Sequence, residues 1–413
     1  MDLNLGEPII ITTGIRNSLM TRMFTLSLAL LGCLATKPYF VWNNKVVIVV
    51  VTLLTVILLL VDSLQIRDRI KFNGESLALG LFGIIVIFYF YCAGSVNDVP
   101  ILGFLAVLVS LACFLFLNDL NKIEVYKTFK FLFAIFMIPG LFIWLLYLLG
   151  LPWDFFLLGN ISNDQVLNPL KGAAGIYYKE FPASVVIGSF MDGNSLFFRF
   201  SGMYDEPGVI GTISGLLLTV ERFKLLNWTN CILFVGGIAS FSLAFIGIMI
   251  LYMILTKNWK VILFMMLSVL GIYSFLPMEV QSLLTEQVIG RLVISSGAIQ
   301  DNRETESLLY YWSLWQSGSV SQVIFGLNTV LEGDIGSTWK IVLIKQGIWG
   351  ILILWVWLLL YTFKNYAGWI SVVLTIVFAA SFYQRPDVLY LPQMIIFIGG
   401  AIYLKEEQQR EMR

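Results

Sequence analysis

The chain has 413 residues, of which 58% are apolar and only 13% charged, and its formal net charge is zero. A typical soluble domain carries roughly 25% charged residues, so this composition is typical of an integral membrane protein, and no strong field points to nucleic acid as a partner. The chain has no histidine, which removes the commonest metal ligand and the commonest general base at neutral pH. We therefore predict no metal site and no cofactor.

Apolar runs long enough to cross a bilayer, about 20 residues each, recur along the whole chain. They predict an all-α polytopic membrane protein, a single membrane domain of residues 1–413 with about twelve spans near 23–40, 46–65, 77–94, 100–118, 131–150, 207–220, 228–240, 241–256, 261–277, 338–362, 367–383 and 388–404. The run 228–256 is too long for one straight helix and short for two. The small residues Gly236 to Ser240 favour two short helices with a tight turn, and one tilted helix is the alternative.

The four cysteines all lie inside these apolar runs, so they indicate neither a disulfide framework nor a thiol metal site. Cys33 follows Leu30-Leu31-Gly32, which faintly resembles a lipoprotein cleavage box. Leu at the second place of that box is unusual, and we interpret the segment as the first transmembrane helix.

Basic residues in the short connections set the predicted orientation, because cytoplasmic loops carry an excess of Lys and Arg. The twelve-span model places both termini and all of the following on the cytoplasmic side: Arg67, Arg69, Lys71, Lys122, Lys127, Lys130, Arg222, Lys224, Lys257, Lys260, Lys364, Lys405, Arg410 and Arg413. The other face receives two long segments, 151–206 and 278–337, which we predict to be large periplasmic loops. The second contains a short amphipathic helix at Ser307 to Gln316.

The predicted spans are nearly free of ionisable side chains, with only Asp62 near a cytoplasmic end and Lys345 about two turns into the tenth span. Ion-coupled transporters place carboxylates near the middle of the membrane. The pattern therefore argues against a proton-driven transporter, although a lipid flippase stays open.

The charged residues of the two long segments read mostly as a solvated surface, but the run from Arg199 to Gly208 differs because it immediately precedes a span. An Arg fork matches phosphate geometry and stays protonated, so Arg199 is suited to hold a lipid diphosphate at the membrane surface. Glu206 stands before Pro207, a residue typical of a first helical position, where a carboxylate could accept a sugar hydroxyl proton. An ordinary helix N-terminus with an acidic residue at its positive end is the equal alternative.

The sequence RFSGMYDEPGVIG at Arg199 to Gly211 resembles the segment after the first large periplasmic loop of bacterial polysaccharide polymerases of the Wzy type, which make O-antigen and capsule and are relatives of the O-antigen ligases. A second stretch looks like the second loop of that family. It comprises, in order, Arg303, Tyr311-Trp312, Phe325-Gly326-Leu327, Asp334 to Ser337 and Lys345 to Gly350. The layout of the spans follows the same order over the whole chain.

The resemblance implies a helical bundle like that of the GT-C glycosyltransferases. The implied reaction joins oligosaccharide repeat units carried on undecaprenyl diphosphate, and the lipid diphosphate is the leaving group. Arg199, Glu206 and Arg303 are then the expected catalytic residues. The expected substrate-binding residues are Tyr204, Asp205, Arg291, Asp334, Lys345 and Arg385.

Two departures from the family bear on the choice of reaction. The ligases carry Ser-Arg at the tip of the middle hairpin, where this chain has Ser240-Phe241, and they carry a histidine in the second loop. Arg291 or Arg385 is a candidate to replace the missing arginine.

We therefore predict a polymerase of the bacterial inner membrane with its site facing the periplasm. A ligase of the same family is the first alternative, and a flippase for lipid-linked oligosaccharides is the alternative from another class. The expected partners are the carrier-linked oligosaccharide and the lipid bilayer, with a chain-length regulator protein as a candidate and no nucleic acid.

Overall fold

The computed structural model describes residues 19–42, 46–65, 74–93, 101–148, 156–160, 177–181, 184–187, 199–204, 206–258, 267, 274, 278, 281–282, 294–295, 298–299, 305–327, 329, 331, 339–385 and 389–413. Its helices are α1 (Leu19–Ala35), α2 (Tyr39–Trp42), α3 (Val46–Gln65), α4 (Gly74–Cys92), α5 (Ile101–Leu115), α6 (Asp119–Leu148), α7 (Pro207–Val220), α8 (Trp228–Ala239), α9 (Leu243–Leu255), α10 (Glu306–Gln316), α11 (Val320–Phe325), α12 (Trp339–Lys364), α13 (Trp369–Gln384), α14 (Leu391–Met394) and α15 (Gly400–Glu411). A π-helical turn, Ile395–Gly399, joins the last two.

The helical class is confirmed, and among the described residues three helices are long and apolar enough to cross a membrane, namely α4, α6 and α12. Seven further apolar helices are shorter. Apolar helices coincide with ten of the predicted spans. The predicted span 388–404 is covered by α14, the π-helical turn and the start of α15, and most of 261–277 lies outside the described residues. The total of twelve crossings and their orientation stay predictions.

The run 228–256 forms two helices, α8 and α9, which confirms the preferred interpretation of this segment. The turn between them comprises Ser240 to Ser242, and Phe241 has a φ of 45°. Both helices pack on α7.

The outward surface of the bundle is apolar. Along α3 the side chains of Val50, Leu53, Ile57 and Leu60 are all more than half exposed, and their spacing places them on one face. Contiguous exposed apolar surface on this scale marks contact with a membrane or a partner, which agrees with the composition.

Helix α6 begins at Asp119, about three turns before the span that was predicted at 131–150. Lys122, Lys127 and Lys130, which were assigned to a loop, therefore lie on the helix. An apolar window misses these turns because lysine is a good helix former that buries its aliphatic stem. Asn118 caps the start of the helix, since its Oδ1 accepts a hydrogen bond of 2.8 Å from the Asn121 N–H.

The first predicted loop contains strands that the sequence analysis did not anticipate. In chain order β1 (Phe156–Asn160), β2 (Tyr177–Phe181) and β3 (Ser184–Ile187) form an antiparallel sheet. The described parts of the second predicted loop hold a two-residue ladder of β4 (Ile294–Ser295) and β5 (Ala298–Ile299), followed by α10 and α11. Helix α10 confirms the amphipathic helix expected at Ser307 to Gln316.

Helix α7 lies at the centre of the bundle, and every residue from Val209 to Val220 is buried. Two glycines on this helix let α9 approach closely. A Cβ at Gly211 would lie 2.3 Å from the Cβ of Ser242, and one at Gly215 would lie 3.0 Å from Ile248. Small residues at such spacing are typical of packed membrane helices.

The two ends of α7 define the two ends of the bundle. Glu206 precedes the helix, and we call the end that holds Arg199, Glu206 and Arg385 the site end. Glu221 follows the helix, and we call the opposite end, which holds Lys130, Glu221, Lys364 and Lys405, the lysine end.

Contacts among α6, α12 and α15 connect the residues of the lysine end. Lys130 Nζ lies 2.7 Å from Glu221 Oε1, and Lys405 Nζ donates a hydrogen bond of 2.9 Å to the carbonyl of Lys364. The rings of Tyr126 and Tyr403 lie 5.4 Å apart and join these two groups of residues.

Helix α12 is broken at Gly347, whose φ of 67° and ψ of −175° are not helical. Phe325-Gly326 packs onto the break, and Gly326 has a similar conformation, with φ 92° and ψ 169°. A Cβ at Gly326 would lie 2.1 Å from the Lys345 carbonyl oxygen, and a Cβ at Gly347 would lie 2.1 Å from the Ile324 carbonyl oxygen. Only glycine at both positions allows this contact, which we call the glycine lock.

The break leaves backbone carbonyls of α12 without helical partners, and other elements satisfy two of them. The Leu327 N–H donates a hydrogen bond of 2.8 Å to the Ile344 carbonyl. The Tyr89 hydroxyl donates one of 2.8 Å to the Gln346 carbonyl, and Gln346 Nε2 donates in return to the Phe90 carbonyl at 3.1 Å. A broken helix is tolerated at membrane depth only when its polar groups are satisfied in this way.

Candidate functional site

Five of the nine predicted site residues lie in the part of the chain that the structure describes: Arg199, Tyr204, Glu206, Lys345 and Arg385. Asp205, Arg291, Arg303 and Asp334 lie outside it. Two of the five, Glu206 and Arg385, form a direct contact.

Glu206 and Arg385 form a buried ion pair at the site end. Arg385 Nη2 donates a hydrogen bond to Glu206 Oε2, and the two side chains are only 10% and 13% exposed. Glu206 is the N-cap residue of α7, but its side chain makes no capping hydrogen bond. The carboxylate thus faces the guanidinium at the end of α13 and not its own helix.

The residues around the pair explain the sequence Glu206-Pro207-Gly208. Pro207 occupies the start of α7, where its missing N–H has no helical partner to lose. Gly208 follows because a Cβ there would lie 2.6 Å from Arg385 Nη2. Any larger residue at 208 would displace the guanidinium from Glu206.

A pocket lies beside the ion pair, and Arg385 is part of its wall. It encloses about 330 Å³ of space, including the part open to solvent, and it is lined by Ala35, Thr36, Val209, Thr212, Ile213, Arg385, Tyr390, Pro392 and Gln393. Thr212 Oγ1 and Gln393 Oε1 are buried without a hydrogen-bond partner among the described residues. The wall of the pocket therefore contains a cation together with a hydroxyl and an amide oxygen that are buried without partners among the described residues.

Sequence reasoning missed Thr212 and Gln393. Both are neutral polar residues within apolar helices, where a hydroxyl or amide more often serves helix packing. The only sequence feature that could have identified them is that each is a polar residue within an apolar run.

Arg199 supports the turn between α8 and α9. Its Nε donates to the Ser240 carbonyl at 3.0 Å and its Nη2 to the Phe241 carbonyl at 3.1 Å. The adjacent Phe200 N–H donates to the Ala239 carbonyl at 3.0 Å. Arg199 therefore supplies a guanidinium at the tip of this hairpin, where Ser240-Phe241 itself has none, and it stabilises carbonyls at the end of α8.

Tyr204 is a packing residue in this structure. It is 1% exposed, and its ring stacks on Phe133 with 5.6 Å between centroids. The Tyr39 N–H donates to the Met203 carbonyl at 2.9 Å and ties this segment to the chain that follows α1. These contacts anchor the chain two residues before Glu206.

Lys345 is half-buried on the first segment of α12, two residues before the break at Gly347. It belongs to the part of α12 that packs with α10 and α11. The glycine lock fixes its backbone, because the Lys345 carbonyl contacts Gly326.

A second buried charged cluster lies at the lysine end. Glu221 Oε1 accepts a hydrogen bond of 2.9 Å from the Tyr126 hydroxyl as well as the ion pair with Lys130, and Glu221 Oε2 accepts one of 3.4 Å from Asn230 Nδ2. This carboxylate is thus surrounded by donors that hold the ends of α6, α7 and α8 together, so we interpret the cluster as structural.

Comparison with known proteins yields no matching family model, no matching curated protein and no matching solved structure.

Proposed function

We propose that the protein is a membrane-bound glycosyltransferase that polymerises oligosaccharide repeat units carried on undecaprenyl diphosphate into a surface polysaccharide. The observation that carries the proposal is the buried Glu206–Arg385 pair beside a pocket with unpartnered polar groups. The pair places a cation that can bind a diphosphate next to a carboxylate that can accept a proton from a sugar hydroxyl.

The reaction would use each member of the pair in turn. The guanidinium of Arg385 exchanges Glu206 for the incoming diphosphate, since a bidentate Arg–phosphate contact is favourable. The released Glu206 carboxylate then accepts the proton of the attacking sugar hydroxyl. That oxygen forms a bond to the anomeric carbon, and the bond to the lipid diphosphate breaks with its electron pair on the leaving oxygen.

The leaving group is charged when it departs, so stabilisation of the developing negative charge matters more than protonation. Arg385 and the family-matched Arg199 and Arg303 are the residues we assign to that task. Two N–H groups of Arg199 already donate hydrogen bonds to carbonyls at the hairpin tip. We therefore assign the principal contact with diphosphate to Arg385. The motif alone had favoured Arg199 and Arg303 for this contact.

The test is glycan ladder formation in a deletion strain complemented with variants at matched protein level. Arg385→Lys keeps the charge but removes the planar fork, and we expect almost no long polymer from it. Arg410→Lys is the matched control, because Arg410 forms an exposed pair with Glu406 at the lysine end, and it should leave the ladder unchanged. A normal ladder from Arg385→Lys would refute the assignment.

A further variant must distinguish a structural role of the ion pair from a catalytic one, because removal of one partner from a buried pair costs about 3–5 kcal/mol in stability. The exchange Glu206→Arg with Arg385→Glu restores opposite charges but reverses their positions. If the pair only stabilises the fold, the double variant should recover the ladder relative to either single variant. We expect it to recover thermal stability and not the ladder.

The readout also separates the alternatives. A ligase would attach finished glycan to another acceptor and leave the ladder of the host polymerase intact. A flippase would move carrier-linked units without joining them, so purified protein would form no glycosidic bond from carrier-linked repeat units.

A further inference from the structure

Helices α10 and α11 leave an apolar edge uncovered. Their inner side packs on α12, where Leu308 and Ile344 are fully buried and Trp315 is 8% exposed. On the outer side Leu314 is 39% exposed, and on α11 Val320 is 76%, Phe325 51% and Ile324 37% exposed. The exposed apolar residues that form this edge are Leu314, Val320, Ile324 and Phe325, whereas Leu309 and Tyr310 are exposed elsewhere on α10.

Polar residues border this edge on the same helices. Ser313 and Ser317 follow Glu306 along one stripe of α10, at helical spacings of seven and four residues, and all three are exposed. Tyr310 lies on the same stripe, four residues after Glu306 and three before Ser313, and its phenol ring ends in a polar hydroxyl. Leu314 lies beside this stripe, so the exposed surface of α10 changes from polar to apolar there. Such a division is typical of a helix that lies at a membrane surface with one side in water.

The glycine lock fixes the depth of α11 relative to the membrane. After the break at Gly347, α12 continues for the 17 residues from Ile348 to Lys364, which at 1.5 Å per residue span about 26 Å. The hydrocarbon core of a bilayer is about 30 Å thick. With Lys364 at the lysine end, Gly347 lies near the opposite boundary of the hydrocarbon. The Ile324 carbonyl contacts Gly347, so α11 lies at that boundary too.

The apolar edge is continuous with the outward surface of α12. Ile348, Trp349 and Leu352 follow the break directly and are 47%, 45% and 47% exposed. Aromatic residues cluster around the start of α12, on the other side of the break, since Trp312 stacks on Trp315 and both Trp312 and Tyr383 pack against Trp339. Trp and Tyr are enriched where a protein crosses a membrane–water interface.

We propose that α10 and α11 lie in the leaflet at the site end, with their apolar edge in contact with phospholipid acyl chains and their polar stripe in water. This lipid contact does not depend on the proposed reaction. It makes these two helices of the second predicted loop a part of the membrane surface and not a segment suspended in solution.

The experiment places a photoactivatable benzoylphenylalanine at single positions of the full chain in nanodiscs of phosphatidylethanolamine and phosphatidylglycerol. Substitution of Leu314, Val320 or Ile324 should yield lipid adducts in the intact mass, at a level similar to substitution of the outward Ile57 on α3. Substitution of Ser313 or Ser317 on the polar stripe should yield few. Equal adduct levels at all five positions, or none at the three apolar ones, would overturn the proposal.

Hydroxyl-radical footprinting of the unmodified protein in the same nanodiscs gives an independent reading. Lipid should protect Phe325, although 51% of its surface is exposed in the protein alone. Leu226, fully exposed in the turn after α7, should be oxidised and serves as the reference. Oxidation of Phe325 at a rate similar to that of Leu226 would show that the edge faces water, and the lipid contact would be wrong.

Discussion

The glycine lock predicts that Gly347→Ala destabilises the protein through backbone contacts alone. A residue with a side chain held at φ 67° and ψ −175° costs about 1–3 kcal/mol. The added Cβ would also lie 2.1 Å from the Ile324 carbonyl oxygen and 2.6 Å from the Gly326 nitrogen. Rotation of a side chain cannot relieve an overlap with backbone, so we expect a loss of at least about 2 kcal/mol and partial release of α11.

The assay is thermal unfolding of purified protein in one detergent, followed by intrinsic tryptophan fluorescence. Gly247→Ala is the matched control, because a Cβ at this position of α9 meets nothing within 4 Å, and Ala is favoured over Gly in a helix by about 0.8–1.0 kcal/mol. Gly347→Ala should lower the melting temperature, whereas Gly247→Ala should leave it unchanged or raise it. Gly326→Ala should act like Gly347→Ala, and the double variant should fall short of the sum because both break one contact. A melting temperature for Gly347→Ala equal to that of the unchanged protein would refute the lock.

Further predictions concern the reaction and the topology. Arg199→Lys and Arg303→Lys should express and insert but make almost no long polymer, because loss of one donor to a developing charge lowers the rate roughly 100- to 1000-fold; a normal ladder from both would leave Arg385 as the only one of the three arginines that acts on the diphosphate. Cysteines at Asn160 and Ser319 should react with an impermeant thiol reagent in spheroplasts, and protection of either without disruption would contradict the predicted orientation. Polymerisation by purified protein should persist in excess EDTA, and activity that returns only with magnesium or manganese would show a metal requirement.

The positions of most helices could be predicted from the sequence, because a run of about 20 apolar residues is the pattern of a membrane-spanning helix. The sequence placed the start of α6 too late, since hydropathy measures the apolar run and not the helix, and lysines such as Lys122 and Lys130 extend the helix beyond that run. It also identified Glu206 and Arg385 as separate candidates but not as a pair. They are 179 residues apart, and only the packing of α7 against α13 brings them together.

The pocket residues Thr212 and Gln393 could not be predicted for a similar reason. A hydroxyl or an amide in an apolar helix has many roles, and only the tertiary arrangement reveals that these two lack partners. The glycines of Phe325-Gly326 and Lys345 to Gly350 were visible as a motif in the sequence. Only the structure shows why glycine is required there, because the two chain segments approach each other too closely for a Cβ.

The glycine lock joins α11 to α12 by main-chain atoms, so the join imposes no side-chain requirement on the residues between Leu327 and Trp339. The entropy of loop closure changes by only about 0.6 kcal/mol for each doubling of loop length. Leu331 is the exception because it packs against the cluster of Leu308, Trp315 and Ile344. Insertions or exchanges elsewhere in this stretch should thus leave both anchoring helices in place. Under the proposed function, a change of sugar recognition could therefore arise in this segment without a change in the contact between α11 and α12.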